Sequence, residues 1–334
     1  MITKAMVMAA GVGSRLEPLT LTTPKPLIKI ANVPVMDILL CNLKKYGISS
    51  VIANTYYLAE QIIERYSERK IIDIDFSYIK EENLSGTAGG LKQCQYFFNK
   101  DESFLVVSAD GLFDIDLKKV FEFHKKSAAI ATIVAKNVDK KEVSKFGVIV
   151  CDDENYVKEF QEKPALEDAK STLINTGIYV FDYRIFDYIP ENQFFDFAKN
   201  VFPSLMENNE KIKVYQSEAY WCDIGSIEQY KQTHVDIFTK KVNIDNIIAE
   251  NIIRGETSEI DKSVRLVGYN TVGSNCVIEK NVILENSIIY DNVQIKANSV
   301  VKNTVVAENV RLSGVFTDEI IEANTVNEKI LEVV

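Results

Sequence analysis

Two cations, Arg15 and Lys25, sit on a glycine-rich stretch, Met8-Ala-Ala-Gly-Val-Gly-Ser-Arg-Leu-Glu-Pro-Leu-Thr-Leu-Thr-Thr-Pro-Lys-Pro-Leu27, that continues an apolar run. The run from Ala5 to Ala10 reads as a buried parallel strand, and Gly11 and Gly13 follow at its carboxyl end, where open α/β sheets place their ligands. Lacking Cβ atoms, the two glycines let backbone N–H groups close on phosphate oxygens, with Ala10 alongside. Arg15 offers a planar fork of donors and Lys25 a mobile point charge. Together these are the requirements of a triphosphate.

Two other phosphate loops are excluded by the same residues. A dinucleotide fingerprint needs a third glycine where Leu16 stands, and Pro18, Pro24 and Pro26 prevent a long helix from starting there. A Walker loop needs a Gly-Lys-Ser/Thr at a spacing this stretch does not provide.

The pattern Gly-x-Gly-x-Arg-Leu-x-Pro-Leu-Thr with Pro-Lys-Pro-Leu resembles the signature of the sugar-1-phosphate nucleotidyltransferases. The resemblance continues in the family's order through Leu84-Ser-Gly-Thr-Ala-Gly-Gly90, Val107-Ser-Ala-Asp-Gly111, Phe146-Gly147, Glu162-Lys163-Pro164, Asn175-Thr-Gly177 and Trp221-Cys-Asp-Ile-Gly225, spanning residues 5 to 240. It is closest to mannose-1-phosphate guanylyltransferase-like proteins.

That resemblance implies the chemistry. A sugar 1-phosphate oxygen approaches the α-phosphorus of a nucleoside triphosphate and pyrophosphate leaves, so the protein must screen two anions and hold them in line. Arg15 and Lys25 would grip the triphosphate, and Asp110 and Asp223 match the family's two metal-binding aspartates, with Mg²⁺ as the cofactor. In the first of these motifs the glycine follows the aspartate, as Gly111, where the family commonly has it before. Asp114 and Asp116 read as caps for the next helix. Lys163 resembles the lysine that binds the sugar phosphate, while Gly147, Glu162 and Asn175 match positions that read sugar hydroxyls. Gly86, Thr87 and Glu81 fall at nucleotide-binding positions. Glu81 stands where uridylyl and thymidylyl members often carry Gln; a carboxylate only accepts, which suits the adjacent N1–H and N2–H donors of guanine. The expectation is GTP with mannose 1-phosphate giving GDP-mannose, with UTP or dTTP and glucose 1-phosphate as the alternative. A non-catalytic nucleotide-sugar-binding regulatory subunit is a third reading.

The elements that must position these residues follow from periodicity. Apolar runs at 5–10, 50–54, 72–78, 104–108, 130–135, 147–150 and 177–181 alternate with amphipathic stretches at 35–46, 58–69 and 116–126, which predicts a doubly wound, mostly parallel α/β sheet of the Rossmann-like kind. Residues 227–238 read as a closing helix. With 334 residues and an ordinary apolar fraction, the chain suggests about two domains. A net charge of −10 without a Lys/Arg stripe argues against a nucleic-acid partner. Five scattered cysteines without a Cys-x-x-Cys pair fit reduced thiols in a cytoplasmic protein. No long uncharged apolar run points to a membrane.

From about residue 262 the pattern changes. Asn270, Asn275, Asn281, Asn286, Asn292, Asn298, Asn303 and Asn309 separate apolar pairs such as Val277-Ile278, Ile288-Ile289 and Val305-Val306. Asparagine tolerates the left-handed backbone of tight corners, so stacked turns of a short parallel β-helix are expected. Its left-handedness comes from the resemblance. The expected domains are 1–240, a linker 241–261, and 262–334. Hexapeptide acyltransferases share such a helix but usually need a histidine base, and the two histidines, His124 and His234, lie upstream in helical segments. The repeats are instead expected to build a homo-oligomer.

Overall fold

The computed structural model describes residues 2–69, 71–245 and 252–329. The chain forms two compact units. One comprises the residues up to Val12 together with Val35–Asp223; the other comprises Gly13–Pro34 and the residues from Ile224 onward. By its contacts, the segment bearing Arg15 and Lys25 groups with the repeats, as does the closing helix.

In the first unit the strand Lys4–Ala9 pairs in parallel with Ser50–Thr55 on one edge and Phe104–Ser108 on the other, and Asp75–Lys80 extends the row beyond Ser50–Thr55. Ala5, Met6 and Val7 are fully buried, as a strand covered on both faces requires. The other half of the sheet departs from the mostly parallel expectation. Leu173–Phe181 runs antiparallel beside Phe104–Ser108, and it pairs antiparallel with both Ala131–Asn137 and Gly147–Cys151. Val157–Glu162 is antiparallel to Gly147–Cys151, and Ile212–Gln216 is parallel to Ala131–Asn137. The fold is thus a mixed, Rossmann-like sheet flanked by helices.

The helices follow local rules. Leu117–Ser127 starts at Asp116, whose carboxylate accepts from Lys118 and Lys119 N–H, and stops at Ala128 in the left-handed region. The stretch expected as one helix over 58–69 divides into Ala59–Ile63 and a π-helical turn, Glu64–Glu68. That turn carries Arg65 and Tyr66 to the buried Asp37 of helix Val35–Lys45.

The second unit contains three parallel sheets whose strands repeat coil upon coil, consistent with a left-handed β-helix. Inward residues stack in columns: Val272 above Ile289 and Val306, Ile278 above Ile295 and Leu312, Leu284 above Val301 and Phe316. The ladder begins at Ile252–Arg254, ahead of the expected start at 262; residues 246–251 of the expected linker lie outside the described residues. Asn275, Asn281, Asn286, Asn292, Asn298, Asn303 and Asn309 all turn corners with positive φ. Asn270 does not: it is fully buried within a strand, donating to the Val267 carbonyl and accepting from Ser287 N–H. Along one corner Asn275, Asn292, Asn309 and Asn324 pass amide hydrogen bonds of 3.0–3.2 Å from coil to coil. The five cysteines are free thiols, and among the described residues no helix is long and apolar enough to cross a membrane.

Both histidines lie in helices and are buried. His124 has Thr132 Oγ1 2.9 Å from Nδ1 and Ser103 Oγ 3.1 Å from Nε2, and burial lowers its pKa from 6.5 to about 4 despite the nearby Asp182. His234 is lowered to about 4 for the same reason. Between those values the unfolded chain binds protons that the folded chain does not, so stability falls as pH drops from 6.5 toward 4 and is untouched by these groups above that window. We expect His124 alone to remove ~3 kcal/mol across it. Urea midpoints measured over that interval should fall in the wild type and fall less in His124→Gln; coincident curves would refute the assignment.

Candidate active site

The parallel half of the first unit gathers its carboxyl ends at one level. Ala10 and Gly11 leave Lys4–Ala9, Asn54 is the penultimate residue of the neighbouring strand, Glu81 follows the next, and Asp110 follows Phe104–Ser108, where Ala109 N–H still donates to the Met8 carbonyl at 3.1 Å. Because Leu173–Phe181 runs antiparallel, its amino-terminal half, with Asn175 and Gly177, lies at this same end, and Gly147 joins it through the pairing of Ile174 with Val148. A Cβ on Gly11 would meet no protein atom within 4 Å, so this backbone faces open space.

The two expected metal ligands are brought together by a ladder of two short strands. Trp221–Asp223 pairs antiparallel with Gly111–Phe113, setting Asp223 opposite Gly111, immediately beside Asp110. Ser108 Oγ donates to Asp110. Gly111 leaves room here: a Cβ would find only the Ser108 carbonyl and Trp221 Nε1, at 3.7 and 3.8 Å. Trp221 Nε1 is buried without a hydrogen-bond partner, and its ring meets Phe146 edge-on at 5.5 Å. Asp114 is not a helix cap. It extends the ladder, its N–H donating to the Tyr220 carbonyl while its carboxylate accepts from Tyr220 N–H at 2.7 Å. Among the described residues no three acidic, His or Cys side chains converge as a metal cage. Asp223 at the end of its short strand and Asp110 in the turn just before the facing one form a hard oxygen pair, which fits a cation such as Mg²⁺ that keeps its remaining sites for water and substrate phosphates.

Glu81 occupies a different environment from the one its sequence position implied. It is 4% exposed. One carboxylate oxygen accepts from Asn54 Nδ2 at 2.6 Å; the other accepts from Ser85 N–H at 2.8 Å and Ser85 Oγ at 2.6 Å. Asn54 Oδ1 in turn accepts from Ala9 N–H at 3.1 Å. The carboxylate thus ties the loop before Gly86 to the first strand. Thr87 is similarly engaged, donating to Asp196 at 2.9 Å and accepting from Phe197 N–H at 3.0 Å. The N–H groups of Ala88 and Gly89 both point at the Phe195 carbonyl. Gly86 has φ +79°, and a Cβ there would lie 2.4 Å from that same oxygen.

At the antiparallel side, Glu162 pairs with Gly147, and a Cβ on Gly147 would strike the Phe160 ring at 2.6 Å. Half-burial raises the Glu162 pKa, opposed by Lys163. Lys163 adopts φ +47°, donates its N–H to the Phe146 carbonyl at 3.2 Å, and holds Nζ 3.8 Å from Glu162 with most of its side chain exposed. A left-handed lysine held this way is locally strained, as ligand-gripping residues often are. Asn175 donates to the buried Tyr179 hydroxyl at 2.7 Å and accepts from Gly177 N–H at 3.0 Å.

Gly13, Arg15 and Lys25 belong to the second unit. Gly13 has φ +74°, and the Lys25 stem lies against it: a Cβ would come within 3.1 Å of Lys25 Cβ and Thr20 Cγ2. Thr20 Oγ1 and Leu16 N–H both donate to the Gly13 carbonyl. Leu16 and Leu19 are buried while Arg15 is exposed, so a short apolar anchor presents a solvent-facing cation. Sequence reasoning did not single out Asn54, Tyr179 or Asp196, and had Ser85 and Trp221 only as members of their motifs. Asn54 had a usable signal, a lone amide ending the apolar run Val51-Ile-Ala-Asn54; the others depend on contacts across the fold.

The nucleotidyl transferase family model matches residues 4–240, and a model described as the GMPPB C-terminal domain matches residues 248–329. The chain is 34% identical to a UTP–glucose-1-phosphate uridylyltransferase of Synechocystis sp., covering 86% of this chain and 83% of that protein. It is 29% identical to a mannose-1-phosphate guanylyltransferase of Mycobacterium tuberculosis, covering 87% and 80%. The crystal structure of HddC from Yersinia pseudotuberculosis superposes with a TM-score of 0.60 at 24% identity over 70% of this chain and 98% of that one, a likeness of fold.

Gly86→Ala should destabilise by ~2–4 kcal/mol, because both its φ and the Phe195 carbonyl exclude a Cβ. Gly11→Ala, with open space around it, should leave the thermal midpoint unchanged. Equal melting temperatures for the two variants would show that the sealing of this helix start is misread.

Proposed function

The chain belongs to the nucleotidyl transferase family, as a sugar-1-phosphate nucleotidyltransferase, and from that premise we propose that it makes UDP-glucose and pyrophosphate from UTP and glucose 1-phosphate. The observation that carries the choice of base is the engaged carboxylate of Glu81. With three protein donors on it, guanine's paired N–H groups lose the acceptor that favoured GTP. The 34% identical uridylyltransferase supports the same choice. A second reading, GTP with mannose 1-phosphate, is supported by the match of the C-terminal repeats to the GMPPB C-terminal domain and by the mannose-1-phosphate guanylyltransferase relative.

Both reactants are anionic, so their approach is the main barrier the protein must lower. In this proposal Arg15 and Lys25 neutralise the triphosphate, with Arg15 following charge onto the departing pyrophosphate, and the backbone at Ala10, Gly11 and Gly13 lies against phosphate oxygens. Lys163 pairs with the sugar phosphate, whose oxygen forms the new bond to the α-phosphorus as the bond to pyrophosphate breaks. Glu162, Asn175 and the backbone at Gly147 orient the sugar ring. Asp110 and Asp223 would hold Mg²⁺, which lowers the charge repulsion between the phosphates. No protein nucleophile takes part. Apolar side chains exposed on the β-helix, Val277 and Val315 among them, support its use as a contact between copies of the chain.

Pyrophosphate release with Mg²⁺ should be greatest for UTP with glucose 1-phosphate among pairings of GTP, UTP, dTTP, ATP and CTP with mannose, glucose, galactose and N-acetylglucosamine 1-phosphates. A maximum at GTP and mannose 1-phosphate would establish the second reading, and binding of nucleotide sugar without any turnover would establish a regulatory protein. Arg15→Ala should lower kcat by roughly 10²-fold. Lys163→Ala should chiefly raise KM for the sugar phosphate, about tenfold. Loss of activity through KM for the triphosphate in both variants would overturn these roles.

A further inference from the structure

The segment Gly13–Pro34 is bound to the repeats by a set of contacts that meet its backbone. Lys29 N–H donates to the Tyr290 hydroxyl at 3.3 Å, the Tyr230 hydroxyl donates to the Lys29 carbonyl at 3.0 Å, and the two hydroxyls lie 3.0 Å apart. Three protons and three acceptors close a ring when Tyr290 donates to Tyr230, so both backbone groups of Lys29 are satisfied by side chains from the closing helix and the β-helix. Tyr230 is fully buried and Tyr290 nearly so. The Lys29 ammonium pairs with Asp291, the next residue along.

Two residues further on, the hairpin of Lys29–Ile30 and Val33–Pro34 turns through Ala31 and Asn32, with φ of 51° and 67°. Two successive left-handed residues are the backbone of a two-residue hairpin turn, which alanine adopts only under constraint. The constraint is visible. Ala31 N–H donates to His234 Nε2 at 3.2 Å, His234 Nδ1 lies 3.0 Å from the Tyr230 carbonyl, and Asn32 Nδ2 donates to the Val272 carbonyl at 2.8 Å. Lys25 stands just ahead of this clamp, its carbonyl accepting from Ile28 N–H at 3.2 Å, and its stem is packed on Gly13.

We propose that Tyr290 and Asp291 of the β-helix, acting through Lys29, are positioning residues for the backbone that carries Arg15 and Lys25, so that the repeats are a working part of nucleotidyl transfer. This rests on the reading that Arg15 and Lys25 act on the triphosphate. The β-helix sets the loop by hydrogen bonds to its main chain, and a side-chain change on the repeats therefore alters turnover while leaving the sugar phosphate's own contacts intact.

The test uses the full chain with Tyr290→Phe, Asp291→Asn and, as a control on the same β-helix, Asn309→Ala, which breaks the corner ladder without touching Lys29. Amide exchange at Lys29 should rise about tenfold in Tyr290→Phe and stay at the wild-type rate in Asn309→Ala. In the assay with the best substrate pair, Tyr290→Phe and Asp291→Asn should lower kcat about 5- to 30-fold with KM for the sugar 1-phosphate unchanged, and Asn309→Ala should leave kcat unchanged. Unchanged exchange at Lys29 in Tyr290→Phe, or an equal fall of kcat in Asn309→Ala, overturns the proposal. If the wild type transfers no nucleotide to any sugar phosphate, the functional reading fails, and the exchange measurement still decides whether Tyr290 holds the loop.

Discussion

A strand buried on both faces, Lys4–Ala9, is the constraint on which the rest of the first unit depends. Its N–H and C=O groups have no access to water, so both edges must be paired, and the parallel partners that pair them bring their carboxyl ends level with its own. Ala10, Gly11, Asn54, Glu81 and Asp110 are neighbours for that reason. The antiparallel strand beside Phe104–Ser108 then delivers Asn175 from the opposite chain direction, and a short ladder sets Asp223 beside Asp110.

The same demand for satisfied polar groups shapes the loops. A buried carboxylate that lacked donors would be costly, and Glu81 meets the demand with Asn54 and Ser85; a helix start that lacked acceptors would be equally so, and the Phe195 carbonyl accepts from Ala88 and Gly89 N–H at Gly86–Gln93. In the second unit the Tyr230–Tyr290 pair performs this service for Lys29, and the asparagine corners perform it for one another from coil to coil. Each network is local in space and remote in sequence.

The glycines divide along the same line. At Gly86 and Gly147 the space for a Cβ is already filled by protein, so glycine is there for packing and backbone shape. At Gly11 that space is open.

Much of this was legible in the sequence. The apolar run and the glycines after it defined the first strand and the loop that leaves it, and the asparagines at even spacing defined the corners of a β-helix, because in each case the signal is carried by residues close along the chain. The antiparallel half of the sheet was hidden because Val157–Glu162, at the sheet's edge, holds only two apolar residues, Val157 and Phe160, without strand alternation, and a lone strand says nothing of its direction. Asp114 reads as a cap in sequence but faces Tyr220 in the fold, Asn270 reads as a corner but is buried in a strand, and the donors on Glu81 come from Asn54 and Ser85. The attachment of the cation-bearing segment to the repeats was also beyond the sequence. A hydrogen bond between Lys29 and Tyr290 joins residues that only the folded chain brings within 3.3 Å, and a side chain's capacity to bond does not reveal which partner burial will leave it.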